Sequence, residues 1–236
     1  MGLRYLTVLG APAFTPASLS GLFGWCDASN SGSITKDGSN KVSQINDLSG
    51  ANKHFSQATG GEQPTWLSAD QNGKDTLQFN GSNLANAYGS TISTFTFWAA
   101  LKPTTQATFD ALVSSPTATT GGITLENGPG TLLNCWIENV GAVAAGSSGT
   151  YPNNTAQTVF LTYTSGDLQI FVNNSQTGTS STASRFLNTP ITIGDDDRGA
   201  FGSFRGKFFE WGFNTVVISS GERASLQSYL GAKWGF

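Results

Sequence analysis

Charge is what this chain has least of. Only 11% of its 236 residues are Asp, Glu, Lys or Arg, against roughly 25% in an average soluble protein. The net charge is −3, and no stretch gathers Lys or Arg. That excludes the electrostatic footprint of a nucleic-acid binder. A single histidine, His54, excludes any metal cluster or triad that needs two. The two cysteines, Cys26 and Cys135, lie far apart with no Cys-x-x-Cys spacing. They read as buried thiols, and nothing in the spacing supports a disulfide. No apolar run approaches the roughly 18 residues of a membrane-crossing helix.

Gly, Ser, Thr and Asn fill the space that charge leaves. This is the composition of many short strands joined by turns. A chain of this length can bury roughly 70% of its unfolded surface, so it needs no covalent staples. Met1 to Ala13 contains an apolar stretch, but it is short for a secretion signal of about 15–30 residues. It reads as a retained, extended arm whose free backbone groups could add a strand to a neighbour's sheet.

The pattern predicts strands over Leu22–Cys26, Val42–Ile45, Thr65–Leu67 and Thr76–Phe79, with a turn at Asn80-Gly81. Phe95–Leu101 is apolar on both faces, as expected in mid-sheet. Ala111–Ser114, Gly122–Leu125 and Leu132–Ile137 follow. Thr158–Thr164 and Leu168–Val172 form the clearest hairpin around Ser165-Gly166-Asp167. In its second strand Leu168, Ile170 and Val172 point one way, while Gln169 and Phe171 point the other. Asn173-Asn174 tolerates positive φ and turns the chain. Ile191–Ile193 and Lys207–Phe213 complete the strands. Thr15-Pro16 starts one helical turn. A second helix opens on the capping box Ser219…Glu222 and sets Leu226, Tyr229 and Leu230 on one face, with Gly231 or Gly235 to end it. The sum is an all-β, two-sheet antiparallel sandwich with one short C-terminal helix. It divides into an arm, residues 1–13, and one domain, residues 14–236.

Several motifs at the two ends belong together. They are Pro16, Trp25-Cys26-Asp27-Ala28-Ser29, Ile45 to Gly50, Gln63-Pro64-Thr65-Trp66, Gly206 to Glu210, and the run from Glu222 to Trp234. As a set, covering about residues 14–236, they resemble the laminin-G-like jelly rolls of the concanavalin A-like lectin/glucanase superfamily, most closely its bacterial and phage branch. The resemblance implies a jelly-roll sandwich. The motifs are framework positions and imply little about ligand.

Glucanases of that superfamily carry a Glu-x-Asp-x-x-Glu strand that supplies two catalytic carboxylates. Here Glu210 is followed by Trp211-Gly212-Phe213 and has no such partner, so it reads as a hydrogen-bonded framework carboxylate and the chain as non-enzymatic. The Glu-x-Asp run with a nearby His that binds metal in legume-type lectins is also absent. Asp195-Asp196-Asp197 is the one acidic cluster. The resemblance implies that calcium could use Asp195 and Asp197 there, since a hard cation takes oxygen ligands; the plainer reading is a solvated turn. For sugar stacking the candidate rings are Tyr88, Trp136, Tyr151, Phe201 and Phe204. Trp25, Trp98, Trp211 and Trp234 read as core, and His54 as a loop residue.

Two functions follow as expectations. The resemblance, together with the arm and the missing signal peptide, points to a structural protein on the surface of a tailed-phage virion, made in the host cytoplasm. Capsid decoration is the leading form. Residues 1–13 would dock on other virion subunits, with no nucleic acid and no membrane insertion. The alternative is a carbohydrate-binding module or a tail-attached receptor-binding appendage that meets cell-surface glycans.

Overall fold

The computed structural model describes residues 13–86, 92–105, 109–115, 122–128, 132–137, 141–145, 150–181, 190–196 and 202–236. In chain order the strands are β1 (Leu22–Asp27), β2 (Ile34–Lys36), β3 (Val42–Ile45), β4 (Phe55–Ser56), β5 (Thr65–Gln71), β6 (Lys74–Asn80), β7 (Leu84–Asn86), β8 (Phe95–Thr105) and β9 (Asp110–Ser115). They continue with β10 (Ile123–Gly128), β11 (Leu132–Ile137), β12 (Gly141–Ala145), β13 (Gln157–Thr164), β14 (Asp167–Val172), β15 (Ser175–Ser181), β16 (Ile191–Ile193), β17 (Gly202–Ser203) and β18 (Arg205–Asn214). The helix α1 spans Ser220–Trp234.

These strands form two sheets. An eight-stranded sheet runs β15-β14-β13-β8-β18-β6-β5, with β1 pairing β18. A ten-stranded sheet runs β12-β11-β10-β9-β16-β7-β4-β3-β2, with β17 beside β9. Every described strand pair is antiparallel except β9–β17. The expected two-sheet sandwich with a C-terminal helix is the observed architecture. The arm lies outside the described residues, apart from Ala13.

Strand β8 shows how the layers arise. Phe95, Phe97, Ala99 and Leu101 point into the cluster between the sheets, because alternate side chains leave a strand on opposite faces. Trp98 and Ala100 point the other way, into a second cluster with Phe160, Phe171 and Phe209. Leu226, Leu230 and Trp234 of α1 cover that second cluster. The eight-stranded sheet is therefore buried on both faces, which is why Phe95–Leu101 carries apolar residues on both faces. Gly212 pairs with Trp98, and a Cβ there would come within 2.4 Å of the indole. Only glycine fits.

Turn chemistry follows the residues. Asn173 and Asn174 take positive φ, as their short side chains allow. Ser219 and Glu222 form a complete capping box, and Gly235 ends α1 in the left-handed region at φ 78°. The buried stripe of the helix is Leu226, Leu230 and Trp234; Tyr229 is half-buried rather than fully part of it. Pro16–Ser18 is a single 3-10 turn whose Thr15 cap makes no side-chain bond. Strands β12 and β15 were not expected from the pattern. Their Gly-Ala and Ser-Thr composition lacks a hydrophobic period, and pairing to β11 and β14 recruits them.

The terminal motifs meet around one carboxylate. Glu210, on β18, is fully buried. Its Oε1 accepts from Trp25 Nε1 at 2.8 Å and from Tyr229 Oη at 3.3 Å. Its Oε2 accepts from Lys233 Nζ at 2.7 Å and from Trp234 Nε1 at 3.1 Å. Lys233 also donates to Asp27 Oδ2 at 2.6 Å. Burial, with Asp27 nearby, pushes the Glu210 pKa up, and Lys233 and Trp25 only partly oppose it. Burial alone would lower Lys233; the charges of Glu210 and Asp27 outweigh that and hold it above its ordinary value. The framework reading of Glu210 is correct.

The recurring Asp-x-Ser triplets are turn locks. Asp27 Oδ1 accepts from the Ser29 N–H and hydroxyl at 2.9 and 2.7 Å. Asp47 repeats this with Ser49, and also accepts from the N–H groups of Trp25 and Lys53. Burial would raise the Asp47 pKa, but these bonds outweigh it and hold the carboxyl below its usual range. His54 belongs to the same loop, its Nδ1 accepting from the Asp47 N–H at 3.1 Å. Cys26 and Cys135 are buried and form no disulfide.

Removing one partner of a buried ion pair leaves a charge without compensation, at a cost of about 3–5 kcal/mol. Lys233→Met is expected to lower unfolding stability by about that much, measured by urea denaturation. A loss below about 1 kcal/mol would place the pair in the range of a surface salt bridge.

Candidate functional site

The ten-stranded sheet differs from its partner on the outside. Its inward row is apolar: Ile45, Phe55, Leu84, Ile193, Val113, Leu125 and Cys135 belong to the core, and the partly buried Ile34 packs against it. One residue along each strand, the opposite face reads differently. Thr35 pairs with Gln44, Gln44 with Ser56, and Ser56 with Ala85. Ala85 pairs with Thr192, Thr192 with Ser114, Ser114 with Thr124, and Thr124 with Trp136. Directly opposed residues share a face. The register from Thr35 to Thr124 therefore lays a row of hydroxyl, amide and small residues on this face, accessible at Thr35, Gln44, Ser56 and Ala85 and buried at Thr192, Ser114 and Thr124.

A groove of about 410 Å³ sits on this face, lined by Ser56, Gln57, Ala58, Glu62, Asn83, Ala85, Asp195 and Asp196. Its walls are tied down. Gln57 Nε2 donates to Asn83 Oδ1 at 2.6 Å, and Gln63 Nε2 to the Gln57 carbonyl at 2.8 Å. Asn83 N–H donates to the Glu62 carbonyl at 2.9 Å. The Ser114 hydroxyl reaches the Asp195 carbonyl at 2.9 Å, fixing the loop after β16 to β9.

Glu126 lies on the same face, two strands from β16 and opposite Asn134. It is 0% exposed, and neither carboxyl oxygen has a hydrogen-bond partner among the described residues. Burial first, and the charge of Asp196 second, lift its pKa from 4.5 to about 8. At neutral pH the carboxyl holds its proton and can both donate and accept. Asn134 keeps one side-chain oxygen without a partner.

Of the expected stacking rings, Tyr151 and Phe204 are both 0% exposed. Phe204 packs edge-on against Phe208 at 5.0 Å, and burial pushes the Tyr151 hydroxyl pKa well up. Neither presents a face to solvent, because the interior needed their apolar area. Tyr88 and Phe201 lie outside the described residues. Trp136 is a described position of β11, but its side chain lies outside the described part. Asp195 lines the groove and Asp197 lies outside the described residues. No group of three His, Cys, Asp or Glu able to hold a metal occurs among the described residues.

Phe109 was not anticipated. It is 43% exposed and takes φ +74°, a rare conformation for a bulky residue and one that often marks a functional position. Its N–H donates to the Asn127 carbonyl at 2.7 Å and its carbonyl accepts from Gly202 at 2.9 Å. Glu126 was also missed, since the expected strand stopped at Leu125. Alternation through Ile123-Thr124-Leu125-Glu126 was the available signal.

No protein-family model and no curated protein matches this chain. Solved structures do. Domain 4 of AbnA, an extracellular GH43 arabinanase from Geobacillus stearothermophilus in complex with arabinotriose, superposes with a TM-score of 0.67 at 13% identity, covering 90% of this chain and 98% of that one. Trypanosoma rangeli sialidase in complex with sialic acid gives 0.62 at 14%, covering 90% of this chain but 33% of that one. A GH54 α-L-arabinofuranosidase soaked with a cyclic sulfate inhibitor gives 0.64 at 14%, covering 92% and 60%. At these identities the likeness is one of fold alone, a β-sandwich.

A buried acid with a raised pKa keeps its proton in the folded state after the unfolded chain has lost it. Stability is then fullest below pH 4.5 and falls as pH rises towards about 8. Glu126→Gln is expected to flatten that decline in a melting-temperature series from pH 4 to 9. An unchanged slope would show that Glu126 is ionised in the native protein.

Proposed function

We propose that this chain is a non-catalytic saccharide-binding β-sandwich whose ligand lies on the outer face of the ten-stranded sheet. The observation that carries the reading is the groove of about 410 Å³ together with the accessible part of the register row, Thr35, Gln44, Ser56 and Ala85. Hydroxyls and amides in a fixed row can both donate and accept, which is what sugar hydroxyls require. Similarity to a domain held with arabinotriose supports the reading.

The non-catalytic part rests on access. Hydrolysis of a glycosidic bond takes two carboxyl groups flanking the bond. On this face the protonated candidate, Glu126, is shielded from solvent. No calcium is required by this reading, although Asp195 offers an oxygen ligand at the groove.

A second reading concerns location. The terminal motif set resembles jelly rolls of bacteria and phages, and from it we infer a place on a virion surface, as capsid decoration or a tail-attached appendage. Residues 1–13 would dock on neighbouring subunits there. One observation makes this testable: the root of the arm is anchored apart from the rest, with Phe14 packed edge-on against Tyr229 at 6.1 Å beside a groove of about 710 Å³.

Two measurements check these readings. Calorimetric titration with neutral oligosaccharides, including arabinotriose, is expected to show binding that Ser56→Trp weakens by about tenfold or more. Ser56 is exposed and lines the groove, so the fold should survive. Equal binding by the variant would move the site elsewhere. Deleting residues 1–13 is expected to abolish incorporation into particles while the melting temperature holds. Normal incorporation would remove the docking role.

A further inference from the structure

The groove of about 710 Å³ lies where the arm joins the domain. Phe14, Lys74 of β6, and Ser228, Tyr229, Ala232 and Lys233 of α1 are among its lining residues. Leu226, Leu230 and Trp234 take the helix face that meets the sheet. Ser228 and Ala232 are exposed, and their spacing of four puts them together on another face. The walls are fixed. Glu222 Oε1 accepts from the Ser20 N–H at 2.8 Å, which ties the root of the arm to the first turn of α1. Gln71 Nε2 and Asn72 Nδ2 donate to the carbonyls of Trp234 and Lys233 at 2.8 and 3.1 Å, which ties the β5–β6 turn to the last. A seat already in its bound shape loses little ordering entropy when it is filled. The Lys233 charge is met by Asp27 and Glu210, so the lysine adds mainly its apolar stem.

The arm carries a segment that suits this surface. Tyr5-Leu6-Thr7-Val8-Leu9 has no charge, and four of its five residues are apolar. We propose that two copies of this chain exchange arms, with residues 5–9 of each seated in the α1 groove of the other. The inference rests on the docking reading above and names the neighbour as a second copy. Seat and segment adjoin on one molecule, because Phe14 both ends the arm and lines the groove. Two copies facing each other there make the same contact twice and close a two-fold dimer. To enter its own groove, the segment would have to reverse within Gly10-Ala11-Pro12-Ala13, against the Phe14 ring. A second copy needs no reversal, and the twelve residues before Ala13 reach about 40 Å when extended.

The test is sedimentation velocity on the full chain over a range of concentrations, where a dimer is expected. Deleting residues 1–12 is expected to give a monomer whose circular dichroism is unchanged. Ser228→Trp, at an exposed position, fills the groove and is expected to weaken dimerisation about tenfold or more. A monomeric full chain would overturn the exchange, and so would a dimer that survives either change. If the full chain is a monomer yet loses incorporation into particles on truncation, the docking role stands with a different subunit as neighbour. If the dimer depends on arm and groove yet the truncated chain incorporates normally, the exchange stands and the docking role falls.

Discussion

The buried contact among Glu210, Lys233 and Asp27 is the constraint on which the rest depends. It joins the first strand, the last strand and the last turn of the closing helix at one point. Charges this deep cost several kcal/mol each to desolvate, and only good geometry and further hydrogen bonds offset that. Glu210 receives four donors, from Trp25, Tyr229, Lys233 and Trp234. A shifted helix would strand a carboxylate in the interior. The cluster therefore sets the position of α1 as well as holding it.

That placement decides which sheet face the helix covers. Leu226, Leu230 and Trp234 seal the outer face of the eight-stranded sheet over Trp98 and Phe209. Among the described residues no helix does this for the ten-stranded sheet. Its outer face carries small hydroxyls and amides instead of an apolar stripe, accessible at Thr35, Gln44 and Ser56 and buried at Thr192, Ser114 and Thr124. The two sheets share one core and differ in what lies outside it. Groove, hydroxyl row and buried Glu126 all fall on the side of this sheet away from the shared core.

Much of the fold was legible from the residues. Val42–Ile45, Leu132–Ile137 and Ile191–Ile193 match their predicted bounds, since each carries an apolar period with clear punctuation. The capping box and the positive-φ asparagines were legible for the same reason: their chemistry is local. Strands β12 and β15 were not, because Gly141–Ala145 and Ser175–Ser181 become strands by pairing rather than by pattern. The aromatic candidates failed at Tyr151 and Phe204. A ring in a short strand or loop gives no sign of whether it faces the core or the solvent.

The sequence by itself determined the class of fold, the role of Glu210 and the framework character of both terminal motif sets. Those properties come from periodicity, capping and residue chemistry, which act over a few positions. The tertiary structure alone decided that Ser56, Thr192, Ser114 and Thr124 stand in one row, and that Asp196 acts on a buried Glu126 seventy positions earlier. Strand order and register are collective outcomes of packing two sheets, and no local pattern encodes which strands become neighbours.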